Sequence, residues 1–340
     1  MDIKMYKEMI DANYPKYLEG RNPSSHYDPI KELLARGGKR LRPTLCMLSC
    51  DAFGGDVKDA LPTAIAIEFF HNFTLIHDDI QDKSQLRRGE PTLHIKYGVP
   101  IVLNAGDGLY AISYQVLEDN EEILGIKKAW RIFKEMIDMN VLLVEGQAID
   151  LTFKREILKN RRFSGHGNLR FPTEEMSEDT FMELIRKKTG VLFKASARCG
   201  AIIADASESD IDSIGNFWEN VGIAFQIRDD ILNVTGEEKE YGKNIGDDIS
   251  EGKPTLLLIH CLKNCDAREK KIIMDNISVP YDPDGVKEVI ELYRTYRSIE
   301  YAEERAEEYM RRSYNILNKI SLRDKEEIRS FAEFFIERDK

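Results

Sequence analysis

Apolar residues recur at three- and four-residue spacings through segments 44–53, 60–76, 123–153, 179–206 and 300–320, and this periodicity narrows the fold more than any other feature. Such spacing gathers apolar side chains on one face of a helix. Alternating β-branched runs bounded by Asn-Gly or Asp-Gly turns are absent from the sequence. No Gly/Ser/Pro-rich linker divides the chain, and no internal repeat of about 20–50 residues emerges. The expectation is one all-α domain over residues 1–340.

The 49 Lys and Arg residues face 60 Asp and Glu, a net charge of −11. That balance argues against a nucleic-acid partner and against a polybasic membrane-surface protein. The longest apolar run, 61–76, is interrupted by Glu68, His71 and Asn72, so no membrane span is expected. The N-terminus lacks the apolar region of a signal peptide. Cys46/Cys50 and Cys261/Cys265 are i,i+4 pairs inside apolar segments and read as buried free thiols. A reducing cytoplasm is the compartment that suits them.

Two segments read as loops. Residues 160–172 contain two glycines and a proline, and 236–254 contain four glycines. Long glycine-rich stretches within a compact enzyme are usually functional loops or lids. Lys154, Arg155, Lys159, Arg161, Arg162 and Arg170 also make 154–172 a basic island in an acidic chain. A solvated insertion is the plain account of it; the functional one is a mobile flap that adds positive potential near the substrate entrance or touches a dimer partner.

Local charge is strongly segregated. Asp78-Asp79-Ile80-Gln81-Asp82 follows an apolar helical segment, and Asp229-Asp230-Ile231-Leu232-Asn233 repeats the spacing some 150 residues on. On a helix, positions four apart share a face, so Asp78 and Asp82 project together. Clustered like charges repel, an arrangement that pays where hard Mg²⁺ takes carboxylate oxygens and bridges to phosphates. One copy is weak evidence, since solvated acidic faces are common; the second copy makes it count. Asp150 adds a carboxylate in Gly146-Gln147-Ala148-Ile149-Asp150, where the glycine permits close approach. Cations alternate with these clusters: Lys39, Arg40 and Arg42 in Gly37–Pro43, then Arg87-Arg88-Gly89, Lys187-Lys188-Thr189-Gly190, and Lys243 and Lys253. Pro43 suits the first position of a following helix, whose N-terminus favours an anion.

Together, Gly37-Gly38-Lys39-Arg40-Leu41-Arg42-Pro43, the first aspartate cluster with Arg87-Arg88-Gly89, Gly146–Asp150, Lys188-Thr189 and Phe225-Gln226-Ile227-Arg228-Asp229-Asp230 resemble the trans-isoprenyl diphosphate synthases. The resemblance runs in order from about Lys31 to Pro254; the last 85 or so residues carry no matched motif. It implies antiparallel helices around a deep central cavity, a homodimer, and three Mg²⁺ ions holding an allylic diphosphate. By the same resemblance, Asp78, Asp82 and Asp150 are metal ligands supported by Asp79. Asp229 is the main ligand of the second set, backed by Asp230, Asn233 and Asp248. Arg87, Lys188, Lys243 and Lys253 hold the allylic diphosphate, and Gln147 belongs to the substrate-binding set. Lys39, Arg42, His71 and Arg88 hold isopentenyl diphosphate. Thr189 and Gln226 present oxygens to the developing carbocation. Asn233 stands where the family usually has aspartate, which implies weaker metal affinity there.

Family product cavities run along the first aspartate-rich helix toward its N-terminus, which makes Phe70, Phe73 and Thr74 chain-length candidates. One aromatic at Phe73 beside the small Thr74 is similar to the archaeal geranylgeranyl type, implying a C20 product with C15 as the alternative. A class I terpene cyclase does not need the second diphosphate pocket of Lys39, Arg42 and Arg88. A non-catalytic regulatory subunit would have lost one aspartate motif.

Overall fold

The computed structural model describes residues 3–163, 177–236 and 245–336. In chain order the helices are α1 (Ile3–Asn13), α2 (Ser24–Ala35), α3 (Leu41–Ala52), α4 (Leu61–Asp82), α5 (Leu93–Tyr97), α6 (Val99–Val116), α7 (Asp119–Leu124) and α8 (Ile126–Phe163). There follow α9 (Glu178–Ile185), α10 (Val191–Ile203), α11 (Glu208–Thr235), α12 (Asp247–Glu251) and α13 (Leu256–Asn264). The last four are α14 (Ala267–Asn276), α15 (Pro283–Thr295), α16 (Ser298–Leu317) and α17 (Lys325–Ile336). The only strands among the described residues are Leu86–Arg87 (β1) and Glu90–Pro91 (β2), an antiparallel pair. The all-α expectation holds.

The helices divide into two compact units, each discontinuous in sequence. The first comprises Met1–Asp138, Phe193–Asn216 and Leu317–Arg329. Within it α4 packs against α3 and α6, with α2 on α6 and α1 on α3. Every residue of α4 from Pro62 to Phe70 is buried, so this half of the helix is apolar on nearly all sides. Within this helix the Asn72 amide donates to the Glu68 carboxylate at 2.7 Å.

The second unit comprises Met139–Leu192, Phe217–Ile316 and Ser330–Lys340. Its core joins Phe153 and Ile157, Phe181 and Leu184, Ile223, Ile227 and Ile231, and Leu256–Leu262 with Tyr293. Ile223, Ile227 and Ile231 fall every four residues and anchor the apolar face of α11; Asp229 lies on the far side, whereas Asp230, three positions from Ile227, is buried beside that face. Side-chain caps begin α9 (Ser177) and α13 (Thr255), and Asp266 with Glu269 forms a capping box on α14.

Four local features depart from the sequence expectations. Helix α8 continues to Phe163, so the start of the expected 160–172 loop is helical. The glycine-rich 236–254 stretch contains the short helix α12. Helix α3 begins at Leu41 rather than at Pro43; the proline is tolerated because first-turn N–H groups have no intrahelical partner. The helical 179–206 segment is interrupted by a π turn at Arg186–Gly190. All five cysteines are buried free thiols, as expected. No described helix is long and apolar enough to cross a membrane.

Candidate active site

In the first unit, α4 ends at Asp82, and Lys83 caps it with a left-handed backbone (φ 56°). The β1–β2 hairpin follows, closed by Arg88 and Gly89, both at positive φ (57° and 78°), the conformation of a two-residue type I′ turn. This turn sends Arg87 back onto α4. Its Nε donates to both Asp79 oxygens at 2.9 and 2.8 Å, and Nη2 lies 2.7 Å from Oδ1. Burial alone would lower the Arg87 pKa; the fork to Asp79 reverses that and raises it. Asp79 is buried with both oxygens engaged, while Asp78 and Asp82 are half-buried. Asp79, counted with the metal ligands by resemblance, is the residue that sets Arg87 in place.

The cationic turn lies in the same unit. Gly37 and Gly38 have φ 76° and 143°, and the Arg88 guanidinium lies where a Cβ on Gly38 would sit, 2.9 Å from Nη2. Arg88 donates to the Gly37 carbonyl. Lys39 is exposed. Arg42 Nη1 is 3.0 Å from His71 Nε2, and its guanidinium lies over the Phe193 ring at 5.2 Å. Arginine can only donate, so His71 Nε2 accepts and the imidazole is neutral. Burial and the neighbouring Arg42 and Arg88 push the His71 pKa well below its usual value. His71 thus orients Arg42 and brings no positive charge of its own.

The chain-length candidates belong to an aromatic ladder between α4 and α6. Phe73 packs on Phe70 (ring centroids 5.5 Å), on Tyr110 (5.0 Å) and on His77 (4.8 Å), and Tyr110 on Tyr114 (5.2 Å). Phe70 is fully buried, whereas Phe73 and Thr74 are half-buried. The Thr74 hydroxyl donates to the His71 carbonyl at 2.7 Å.

In the second unit, a Cβ on Gly146 would stand 2.8 Å from both Lys187 Cβ and Lys188 N. The close approach expected of this glycine is therefore made by the π turn. Lys188 reaches Asp150 at 2.7 Å, with Lys154 at 3.7 Å from the same oxygen. Burial would raise the Asp150 pKa, but Lys188 and Lys154 bring it below the normal carboxylate value. Gln147 is half-buried beside them in sequence.

A hydrogen-bonded relay continues from the π turn. Thr189 Oγ1 donates to Gln226 Oε1 (3.1 Å), and Gln226 Nε2 donates to Asp230 Oδ1 (3.0 Å). Lys253 Nζ donates to the same Asp230 oxygen (2.9 Å) and to Asp248 Oδ2 (2.8 Å). Burial pushes the Asp230 carboxyl up to about 7; Lys253 opposes this and Asp248 adds to it. Burial would lower the Lys253 pKa, but the two carboxylates hold the ammonium protonated well above its usual range. Asp229 is half-buried. Asn233 is fully buried; its Oδ1 accepts the backbone N–H of Asp248 at 3.2 Å, and its carbonyl accepts that of Gly246 at 2.7 Å. The structure thus engages Asn233 in fastening α12 to α11, a partner its sequence position did not suggest. Lys243 and Arg170 lie outside the described residues.

The residues fit a hard divalent cation. The Asp230 Oδ2 atom is buried without a hydrogen-bond partner, and every acidic donor here is a carboxylate oxygen. Among the described residues no three His, Cys, Asp or Glu side chains stand close enough to enclose an ion by themselves. Mg²⁺ is an ion that keeps waters and takes further ligands from substrate phosphates. Within the second unit, Asp230 and its neighbour Asp229 are carboxylates of the kind such an ion takes.

The pairing of Arg40 with Glu68 and the I′ hairpin were not expected from the sequence. A glutamate inside an apolar helix demands a buried cation, and Arg-Gly after a helix end is turn chemistry; those were the available signals.

The polyprenyl synthetase family model matches residues 23–295. The geranylgeranyl diphosphate synthase of Sulfolobus acidocaldarius is 37% identical over 95% of this chain and 94% of its own length. The geranylfarnesyl diphosphate synthase of Aeropyrum pernix is 35% identical over 91% of this chain and 92% of its own. A solved geranylgeranyl pyrophosphate synthetase from Pyrococcus horikoshii Ot3 superimposes with a TM-score of 0.86 at 33% identity, covering 98% of this chain and 97% of that one. The cationic turn, the two carboxylate groups and these likenesses agree: this chain belongs to the polyprenyl synthetase family.

Proposed function

We propose that this prenyltransferase condenses an allylic diphosphate with isopentenyl diphosphate and releases geranylgeranyl diphosphate, C20. The observation that carries the reading is the cation group of the 37–42 turn and the hairpin, where Arg88 donates to the Gly37 carbonyl, Arg42 is held by His71 and Lys39 is exposed, a set additional in sequence to Lys188 and Lys253. One diphosphate needs one such group; a condensing enzyme needs two, and a cyclase does not.

Arg87, Lys188 and Lys253 bind the allylic diphosphate and stabilise its charge as the C–O bond ionises. Mg²⁺, when bound, supplies Lewis-acid neutralisation of the departing diphosphate. Thr189 and Gln226 turn oxygen dipoles toward the allylic cation. Lys39, Arg42 and Arg88 hold isopentenyl diphosphate so that its double bond attacks C1 of that cation, a bimolecular step made effectively unimolecular. The released diphosphate accepts the proton lost on forming the new double bond, so no His or Glu base is required. The Phe70–Phe73–Tyr110 wall supports a C20 limit.

Homodimerisation is part of this reading. Trp130, Val144, Leu151 and Leu158 are all exposed on α8, separated by multiples of seven residues, the repeat of a helix that pairs lengthwise. A cytoplasmic setting is supported by the five reduced cysteines.

Incubation with labelled isopentenyl diphosphate and C5, C10 or C15 allylic diphosphates, followed by chromatography, tests the proposal. C20 product from all three primers is expected. Elongation with none of them rejects it, and accumulation of C15 from the two shorter primers moves the product assignment.

A further inference from the structure

Arg40 lies between two proposed substrate cations, Lys39 and Arg42, yet it is 3% exposed. Its backbone is left-handed (φ 50°), a conformation costly for a side chain with a Cβ. Its carbonyl accepts the Thr44 N–H at 3.1 Å, making it the residue on which α3 starts. The guanidinium is tied at three points. Nε donates to Asp11 (2.9 Å), Nη1 to the buried Glu68 of α4 (2.6 Å), and Nη2 to the Leu34 carbonyl at the end of α2 (2.8 Å). The ring of Tyr14 lies 5.4 Å from the guanidinium carbon.

Buried ion pairs are poor sources of stability, because desolvation offsets their attraction and apolar residues of the same volume often do as well. What a rigid five-donor fork supplies is geometry. Here it links α1, α2 and α4 to one strained residue at the centre of a turn. With Arg40 anchored inward, Lys39 stays exposed and Arg42 remains beside His71. Arg88 completes the turn from outside through Gly37.

We propose that Arg40 is a positioning residue for the isopentenyl diphosphate subsite: its three-way anchorage fixes the left-handed turn that aims Lys39 and Arg42. The inference rests on the assignment of those cations to that diphosphate.

The test compares Arg40→Met/Glu68→Gln, which removes both buried charges together, with Arg40→Lys and Asp11→Asn. The readouts are the KM for each substrate, kcat, and the dissociation constant for isopentenyl diphosphate without primer. The double variant is expected to raise KM and Kd for isopentenyl diphosphate about tenfold or more, with the allylic KM within about twofold. Arg40→Lys keeps charge without the fork and is expected to fall between it and wild type. Asp11→Asn is expected to weaken binding about two- to threefold. A merely structural residue would lower thermal stability and the active fraction while leaving both KM values alone. Wild-type isopentenyl diphosphate affinity in folded Arg40→Lys and Asp11→Asn overturns the proposal, even if the double variant fails to fold. Wild-type enzyme that elongates no primer would instead reject the reading beneath it.

Discussion

The two aspartate motifs share a spacing and differ in how the fold neutralises them. In the first unit, Asp79 is matched one to one by Arg87, eight residues away across a tight hairpin. In the second, Asp230 and Asp248 share the single ammonium of Lys253, and Asp230 is raised to about 7. The same sequence pattern therefore gives one buried carboxylate in a one-to-one pair and two that share one buried cation. Two buried carboxylates on one ammonium make the second group the more dependent on its own cation.

The largest effect expected is at Lys253. Lys253→Met leaves two buried carboxylates unpaired and should cost about 3 kcal/mol or more of stability by chemical denaturation. Adding Asp248→Asn should return most of it. A Lys253→Met protein as stable as wild type would erase the asymmetry.

Arg87→Met leaves one buried carboxylate rather than two and is expected to cost less stability, about 1–3 kcal/mol. It should lower kcat/KM for the allylic substrate about 100-fold while sparing isopentenyl diphosphate. An equal loss for both substrates would place Arg87 elsewhere in the reaction.

Gly146→Ala drives a methyl into the π turn that carries Lys188 and Thr189. Overpacking of this kind costs about 1–3 kcal/mol, and kcat is expected to fall about tenfold through displaced site residues. Unchanged kcat would mean the turn gives way without moving the site.

The smallest effect is in pH. His71 has its folded-state pKa below the ordinary 6.5, so the unfolded chain takes up the proton first. Stability should fall as pH drops below about 6.5, no more steeply than about 1.4 kcal/mol per pH unit. His71→Gln should remove that contribution and keep an acceptor for Arg42. A denaturation midpoint with the same pH slope in both proteins would show a charged His71.

Much of this was legible in the sequence. Three- and four-residue apolar spacing gave the helices, and the paired aspartates gave the position of the chemistry, because both signals are local. The counter-charges were not local. Lys253 meets Asp230 only after the chain turns through α12, and Arg40 meets Glu68 across 28 positions. Nor did residue type reveal direction: Lys39 and Arg40 are neighbours, yet one is exposed and the other buried. The π turn left no sign in the apolar periodicity because Lys187 and Lys188 fit either register.

The proposed function has both carboxylate groups serve one ionisation step. Elongation rates of Asp78→Asn, Asp229→Asn and the double variant test it most directly. Each single change should slow elongation about 10³-fold, and the double variant should be barely slower than the worse single, since residues acting as a unit are strongly non-additive. Losses that multiply in the double variant would contradict the account.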